Sequence, residues 1–139
     1  MAAVTYTAAQ IKLVDPIKAK TKNYKAGVAI TQGQPVYIVV ATGLLALADA
    51  NGSGTKQFRG IALEGGGIGQ GITVVEEGEV AGFTLAGDYD SFVYVADAVG
   101  TYVDAAGTVS IPIGRVAPMS DNSLTKVLSV FVRRSADWA

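Results

Sequence analysis

Short apolar runs separated by turn-forming residues make up most of the chain, and this pattern predicts strands. Val28 and Ile30 alternate with small or polar neighbours, and residues 36–40 form a dense β-branched and aromatic run. The run 127–132 has the same character, and no long stretch follows the helical period. Short strands at close spacing indicate a barrel or sandwich. We therefore expect an all-β protein, built as a small antiparallel β-barrel or sandwich.

One stretch of the pattern occurs twice, which predicts an internal duplication. The first unit lies at about 26–63 and opens with Ala26-Gly27, and the second lies at about 81–117 and opens with Ala81-Gly82. Two copies are too few to build a solenoid with a continuous core. We therefore expect both units to lie within a single β domain at residues 26–139.

Residues 1–25 predict an extended N-terminal arm in front of this domain. Apolar residues alternate with polar ones, which indicates strand character, and Pro16 marks an edge or a break because proline cannot donate to a ladder. The segment has no hairpin turn of its own, so we expect it to add a strand to a neighbour's sheet. The alternative is that it forms the first strand of the protein's own barrel.

The charges are unevenly distributed along the chain. Residues 1–25 carry five lysines and one aspartate, whereas the rest carries six basic and eleven acidic residues, although the formal net charge is only -1. A basic arm on an acidic body favours an acidic partner surface. Trp138, close to the terminus, is expected in an interface or packed on its own barrel. The candidate interface residues are Val4, Tyr6, Ile11, Lys12, Leu13, Lys18, Lys20, Lys22 and Trp138.

No residue pattern indicates catalysis, a cofactor or a metal. The chain has no cysteine and no histidine, so the commonest general base and metal ligand are absent. The glycine-rich loop 64–71 lacks the phosphate-binding fingerprints, and we expect its glycines to serve positive φ angles. The acidic run 76–79 lacks calcium-loop spacing and is expected to form a solvated hairpin, or to accept a neighbour's basic arm. We predict that the chain is not an enzyme.

The sequence also predicts neither a membrane nor a nucleic-acid partner. The N-terminus lacks the basic start and apolar core of a signal peptide. The apolar stretch 36–48 is shorter than the roughly 20 residues of a membrane-spanning helix. The lysines of residues 1–25 are not interleaved with enough aromatic residues to stack on bases.

Residues 26–37, together with 60–63, 69–74 and 78–80, resemble the capsid decoration (cement) proteins of tailed bacteriophages. The shared pattern is an A-G-x-A-I-x-x-G-x-x-V-Y opening, followed by a G-I-A strand and a G-Q-x-I-x-V strand. The resemblance covers most of the chain from about Lys25 onward. It consists of turn glycines and strand residues and includes no reactive signature.

The resemblance implies a structural virion protein, made in the host cytoplasm, that binds the outer surface of the expanded phage head. It further implies a homotrimer that clamps adjacent major capsid protein subunits, with an N-terminal arm that extends a capsid sheet. One alternative is a head-fibre or carbohydrate-binding β module, in which Tyr89, Tyr94 and Tyr102 would stack on sugars. Another is a tail or baseplate structural protein that assembles into rings or tubes.

Overall fold

The computed structural model describes residues 3–51, 57–119 and 122–132, and for residues 122–124 it describes the backbone alone. These residues form twelve strands and one 3₁₀ turn at Ala8–Gln10. The strands are β1 (Ala3–Tyr6), β2 (Lys12–Leu13), β3 (Lys20–Lys25), β4 (Pro35–Ile38), β5 (Leu45–Leu47), β6 (Gly60–Ala62), β7 (Gly71–Ala81), β8 (Phe83–Thr84), β9 (Phe92–Val95), β10 (Tyr102–Val103), β11 (Pro112–Met119) and β12 (Asn122–Val130). The strands pair antiparallel in one curled, half-closed sheet, which confirms the predicted all-β fold.

The sheet has the same strand arrangement in its two halves. Its order is β5-β4-β6-β7-β12-β11-β9-β10-β1-β8, with β2 and β3 also paired to β7. In each half a central strand, β4 or β9, lies between the next two strands of the chain, and the fourth strand, β7 or β12, meets its counterpart at the centre. A buried valine of each central strand faces a glycine: Val36 lies opposite Gly60, and Val93 lies opposite Gly114.

The long strand β7 connects the two halves and passes straight through the acidic run. Residues 71–77 pair with β3, and residues 78–80 pair with β12. Gly78 has φ of +140°, which favours glycine, and the register of β3 against β7 shifts next to it. The predicted hairpin at residues 76–79 is therefore wrong, because a glycine with free backbone angles bends a continuous strand there instead of reversing it.

The N-terminal residues are part of the protein's own sheet, which corrects the prediction of an arm. Strand β1 lies between β8 and β10, paired with both, and β2 pairs with the end of β7. Val4 and Ile11 are only 8% and 3% exposed, and Tyr6 and Leu13 pack against the same core. Alternation identifies a strand but not the sheet to which it belongs. For residues 3–13 the alternative interpretation, a first strand of the protein's own barrel, is the correct one.

Three aromatic rings fix β1 in this position. Tyr6, Phe83 and Tyr102 contact one another with ring centroids 5.2 to 5.7 Å apart, and Tyr102 meets the other two rings edge-on. The buried hydroxyl of Tyr102 donates a 2.6 Å hydrogen bond to the carbonyl oxygen of Gly33 in the first unit. Tyr6 lies so close to Gly33 that a Cβ there would be 2.6 Å from its ring. The N-terminal strand thus joins both units.

The buried side chains form two clusters. The larger combines residues of both units with Val4 and Ile11. The smaller lies in the first half of the sheet, where Ile72 of β7 joins residues of the first unit such as Ile30. The glycine-rich loop is fastened to the first unit, because Ile30 and Gly66 exchange two backbone hydrogen bonds of 2.9 Å. Of the loop's glycines, Gly69 has the expected positive φ, at +86°. The loop is therefore a structural element of the first unit.

Replacing either of the glycines that lie opposite the buried valines, Gly60 in the first half or Gly114 in the second, by alanine is expected to destabilise the fold. A Cβ on Gly60 would lie 2.2 Å from Val74 Cγ1, and one on Gly114 would lie 2.2 Å from the carbonyl oxygen of Ser129. Overpacking of this kind costs about 1–3 kcal/mol, or more where backbone must move. Urea denaturation of Gly60→Ala and Gly114→Ala measures the loss. Gly67→Ala, whose nearest atom would be 3.7 Å away, is the control, and equal stability of all three variants would contradict the account.

Candidate interaction surface

Strand β3 presents the most exposed row of side chains in the sheet. It pairs with β7 over six registers, from Lys20 opposite Glu77 to Lys25 opposite Gly71. Five of its six residues are exposed, and only Tyr24 is half-buried. In the part of the chain that the structure describes, β7 is its one strand partner, although the next residue, Ala26, bridges to Leu45 of β5. The strand therefore offers a row of exposed side chains and an edge that is open before Lys25.

A polar cluster anchors β3 to the body of the protein. The Tyr24 hydroxyl donates a 2.5 Å hydrogen bond to Glu76 Oε2, and Arg59 Nε donates to the same oxygen at 3.0 Å and to the Tyr24 hydroxyl at 3.1 Å. Burial and the bond to Glu76 raise the pKa of Tyr24, and the hydrogen bond to Tyr24 raises the pKa of Arg59. These three side chains belong to β3, the residue before β6, and β7, so they hold the edge strand in place.

The lysines of β3 lie close to neighbouring side chains. Lys20 Nζ is 3.5 Å from Glu77 Oε2, with both side chains more than half exposed, so this ion pair adds little stability. Lys22 Nζ lies 5.2 Å from the centroid of the Tyr24 ring. Lys20 and Glu77 also border a cleft of about 270 Å³ that is lined further by Arg59, Glu76, Phe131 and Val132. Both lysines therefore remain accessible to a partner.

A tight turn directly before β3 exposes an isoleucine. The backbone N–H of Lys18 donates to the carbonyl oxygen of Asp15, and the N–H of Ile17 donates to Asp15 Oδ1, both at 3.2 Å. Aspartate and proline in the first two positions are typical of such turns. The side chain of Ile17 is 94% exposed, the highest value among the large apolar residues described. The turn and β3 form one continuous surface, residues 15–25, which we call the β3 edge.

The structure separates the predicted interface residues into three groups. The apolar ones, Val4, Tyr6, Ile11 and Leu13, belong to the protein's own core and are not available to a neighbour. The lysines are all exposed: Lys12, Lys18, Lys20 and Lys22. Lys12 lies on β2, apart from the other three, which belong to the β3 edge. Trp138 lies outside the described residues, so its interface role stays a prediction.

The tyrosines proposed to stack on sugars do not form a platform. Tyr102 is 1% exposed and lies within the core, so it is not accessible to a ligand. Tyr94 is half-buried beside Phe92, and Tyr89 is 45% exposed with Lys126 Nζ 5.3 Å from its ring centroid. The carbohydrate interpretation therefore loses one of its three residues.

The interaction surface contains residues that sequence reasoning missed. Arg59, Glu76 and Tyr24 meet although they are 17 to 52 positions apart in the chain, and no local pattern joins them. The exposure of Ile17 could have been predicted from the sequence, because an isoleucine directly after Asp15-Pro16 falls in a turn, where a large apolar side chain is unusual.

Comparisons with known proteins add no family to this picture. A scan against protein-family models gives no match, and a search of curated protein sequences gives none either. Within residues 3–51, 57–119 and 122–132, no group of three or more acidic side chains is placed to hold a metal ion. The same residues include no helix with the length and apolar character needed to cross a membrane.

We expect the fold to lose stability in alkaline solution. Burial raises the pKa of Tyr102 well above its ordinary value and also raises that of Tyr6. Above about pH 10 these tyrosines ionise in the unfolded chain while they stay protonated in the folded one. Their contribution is fully present below that pH and is lost as the pH rises, by up to about 1.4 kcal/mol per pH unit for Tyr102.

Urea denaturation at a series of pH values measures this loss. Tyr102→Phe should be less stable than the wild type at neutral pH, by about 1 kcal/mol for the lost hydrogen bond, yet should have a shallower alkaline decline. Val95→Ala, a fully buried core position that carries no titratable group, is the control for lost stability and should keep the wild-type slope. Identical slopes for the wild type and Tyr102→Phe would contradict the assignment.

Proposed function

We propose that this chain is a structural virion protein that binds the outer surface of the expanded head of a tailed bacteriophage. Its partners would be the major capsid protein and further copies of itself, arranged as a homotrimer that clamps adjacent capsid subunits. The role is mechanical and needs no catalytic group. It would be made in the host cytoplasm and end on the capsid surface.

The observation that carries the proposal is the β3 edge. A firmly anchored strand with Lys20, Lys22 and Lys25 in solvent, next to a nearly fully exposed Ile17, combines features that favour attachment to an acidic protein surface. The body that bears it is an all-β domain, with buried side chains from both units in one core. A firm body with an exposed basic edge suits a protein that transmits force between neighbours.

The sequence resemblance supports the fold more directly than the role. Its residues include Ala26, Val36, Ile61 and Val74, which are all completely buried. These positions specify the first half of the sheet and, because they are buried, are not accessible to a partner. The attachment itself must come from exposed residues, which is why the lysines of the β3 edge, and not the shared motif, are the place to test the proposal.

Repetition over a lattice would make weak attachment sufficient. Exposed charge pairs contribute little individually and are screened by salt. A trimer that engages three equivalent sites at once gains strongly in overall affinity from a high effective concentration. We therefore expect saturable but salt-sensitive binding to heads, with the β3 lysines dominating the salt dependence.

Co-sedimentation with phage heads tests the proposal. The purified chain is mixed with expanded, undecorated heads and with unexpanded proheads of the phage that encodes it, and bound chain is measured at increasing salt. We expect saturable binding to expanded heads. Lys20→Glu combined with Lys22→Glu should weaken it by about tenfold or more, which corresponds to about 1.4 kcal/mol for each tenfold step.

Lys12→Glu is the control for net charge and is compared with Lys22→Glu alone, because each replaces one exposed strand lysine and Lys12 lies on β2, apart from the β3 edge. It should bind like the wild type at equal salt. Absence of binding to both kinds of particle would overturn the proposal. Assembly of the chain alone into rings or tubes would instead support a tail or baseplate role.

A further inference from the structure

The free edge of β3 has backbone groups that point away from the protein. On β7, Thr73 uses both of its backbone groups on the side opposite β3: its carbonyl oxygen accepts from Leu63 N–H, and its N–H donates to Glu64 Oε1. Asn23, which lies across from Thr73, therefore belongs to a non-hydrogen-bonded pair. Its own N–H and C=O face outward, away from β7.

The backbone N–H and C=O groups of every second residue of β3 face the same side as those of Asn23. Thr21 and Lys25 share the phase of Asn23, so their N–H and C=O groups also face outward. At the end of the strand this side is already occupied, because Ala26 forms a parallel bridge to Leu45 of β5, in which Gly27 N–H donates to the Leu45 carbonyl oxygen and Leu45 N–H faces the Lys25 carbonyl oxygen. Within the described residues no strand lies on the outer side of Thr21 and Asn23. An incoming extended segment could pair with these two residues, which is the geometry of strand addition.

The charge of β3 decides what kind of segment fits. Lys20, Lys22 and Lys25 give the strand three positive charges, and β3 itself contains no acidic residue. A second copy paired through its own β3 would bring lysines next to lysines, which is unfavourable in a sheet. A segment bearing carboxylates would instead pair with them across the new ladder. The edge therefore selects for an acidic strand and against itself.

Ile17 distinguishes this edge from one that is merely protected by lysines. Edge lysines commonly serve to prevent aggregation. Protection does not require a large apolar side chain that is 94% exposed, held on a hydrogen-bonded turn three residues before the strand. At that place Ile17 can pack against an apolar side chain near one end of an added segment, as an anchor of a small interface.

We propose that the β3 edge binds an extended acidic segment of a partner protein, which adds to the sheet as a strand beside β3. Backbone pairing with Thr21 and Asn23 provides the affinity, the lysines select the charge, and Ile17 anchors one end. This inference depends on the proposed function only for the source of the segment, which would then be the major capsid protein.

The binding test uses a short capped peptide in which glutamate alternates with threonine and valine, and a matched peptide with lysine in place of glutamate. Chemical-shift changes and amide exchange of the full chain are followed by NMR. We expect the acidic peptide to bind and to slow the exchange of the Thr21 and Asn23 amides, with no binding of the lysine peptide. Equal binding of both peptides, or binding away from residues 15–25, would overturn the proposal.

Substitutions at one position separate the backbone contribution from the side chain. Asn23→Pro removes an outward N–H without removing a backbone bond to β7, and edge strands tolerate proline in this orientation. The 3.4 Å side-chain bond from Asn23 Nδ2 to Thr73 Oγ1 is lost equally in Asn23→Ala, so the comparison of the two variants isolates the N–H. It should weaken peptide binding by about tenfold. Asn23→Ala keeps the N–H and should bind like the wild type. Similar affinity of the two variants would contradict strand addition.

A charge exchange keeps the test decisive if Asn23→Pro fails to fold. Lys22→Glu combined with Lys25→Glu should reverse the preference, so that the lysine peptide binds and the acidic one does not. Both side chains are exposed, so the fold should tolerate the change. An unchanged preference would overturn the proposal, as would stronger binding of single-stranded DNA than of the acidic peptide to the wild type, or self-association through β3.

The head-binding assay distinguishes this inference from the proposed function. If the wild type and Asn23→Pro bind expanded heads equally well, the capsid role stands and strand addition at β3 is wrong. If the wild type does not bind heads but binds the acidic peptide through β3, strand addition at β3 is confirmed and its partner is a protein other than the major capsid protein.

Discussion

The insertion of β1 between β8 and β10 places the aromatic contacts through which the end of the sheet's second half reaches the first unit. In the first unit Ala26 bridges directly to Leu45 of β5, whereas in the second unit the corresponding opening strand, β8, is separated from β10 by β1. The Tyr6–Phe83–Tyr102 contacts hold this insertion, and aromatic pairs of this kind contribute about 0.5–1.5 kcal/mol each beyond their buried area. Through its hydroxyl, Tyr102 then ties the second unit to the first.

This use of the N-terminus leaves a different segment for interaction. Residues 3–13 are committed to the core and to the edges of β7, β8 and β10. The chain then leaves the core at the turn around Ile17 and returns as β3, attached on one side only. The basic segment therefore has two parts with different roles: an apolar part that completes the fold, and a lysine-bearing part that faces solvent. The Arg59–Glu76–Tyr24 cluster holds the second part rigid, which lowers the entropy lost when a partner binds.

Sequence reasoning predicted the strands well and their partners poorly. The alternation around Val4 showed a strand, but whether a strand joins its own sheet depends on contacts as distant as that between Thr5 and Thr84. The run 76–79 looked like a turn because acidic residues with a glycine usually are one, and only the neighbouring strands make it part of β7. The lysine bias was visible in composition. The cluster around Arg59 was not, because its members are brought together only by the pairing of β3 and β6 with β7.

Residue-resolved hydrogen exchange of the native chain tests this division of the N-terminus most directly. An amide that donates within the sheet is protected, whereas outward groups on an edge exchange with solvent. The account predicts slow exchange at Val4, Lys12 and Val14, whose N–H groups face a paired strand. It also predicts an alternating pattern along β3, with Lys22 and Tyr24 slow and Thr21 and Asn23 fast. Fast exchange throughout residues 3–13 would indicate a free N-terminal arm and contradict the account, as would uniform protection along β3.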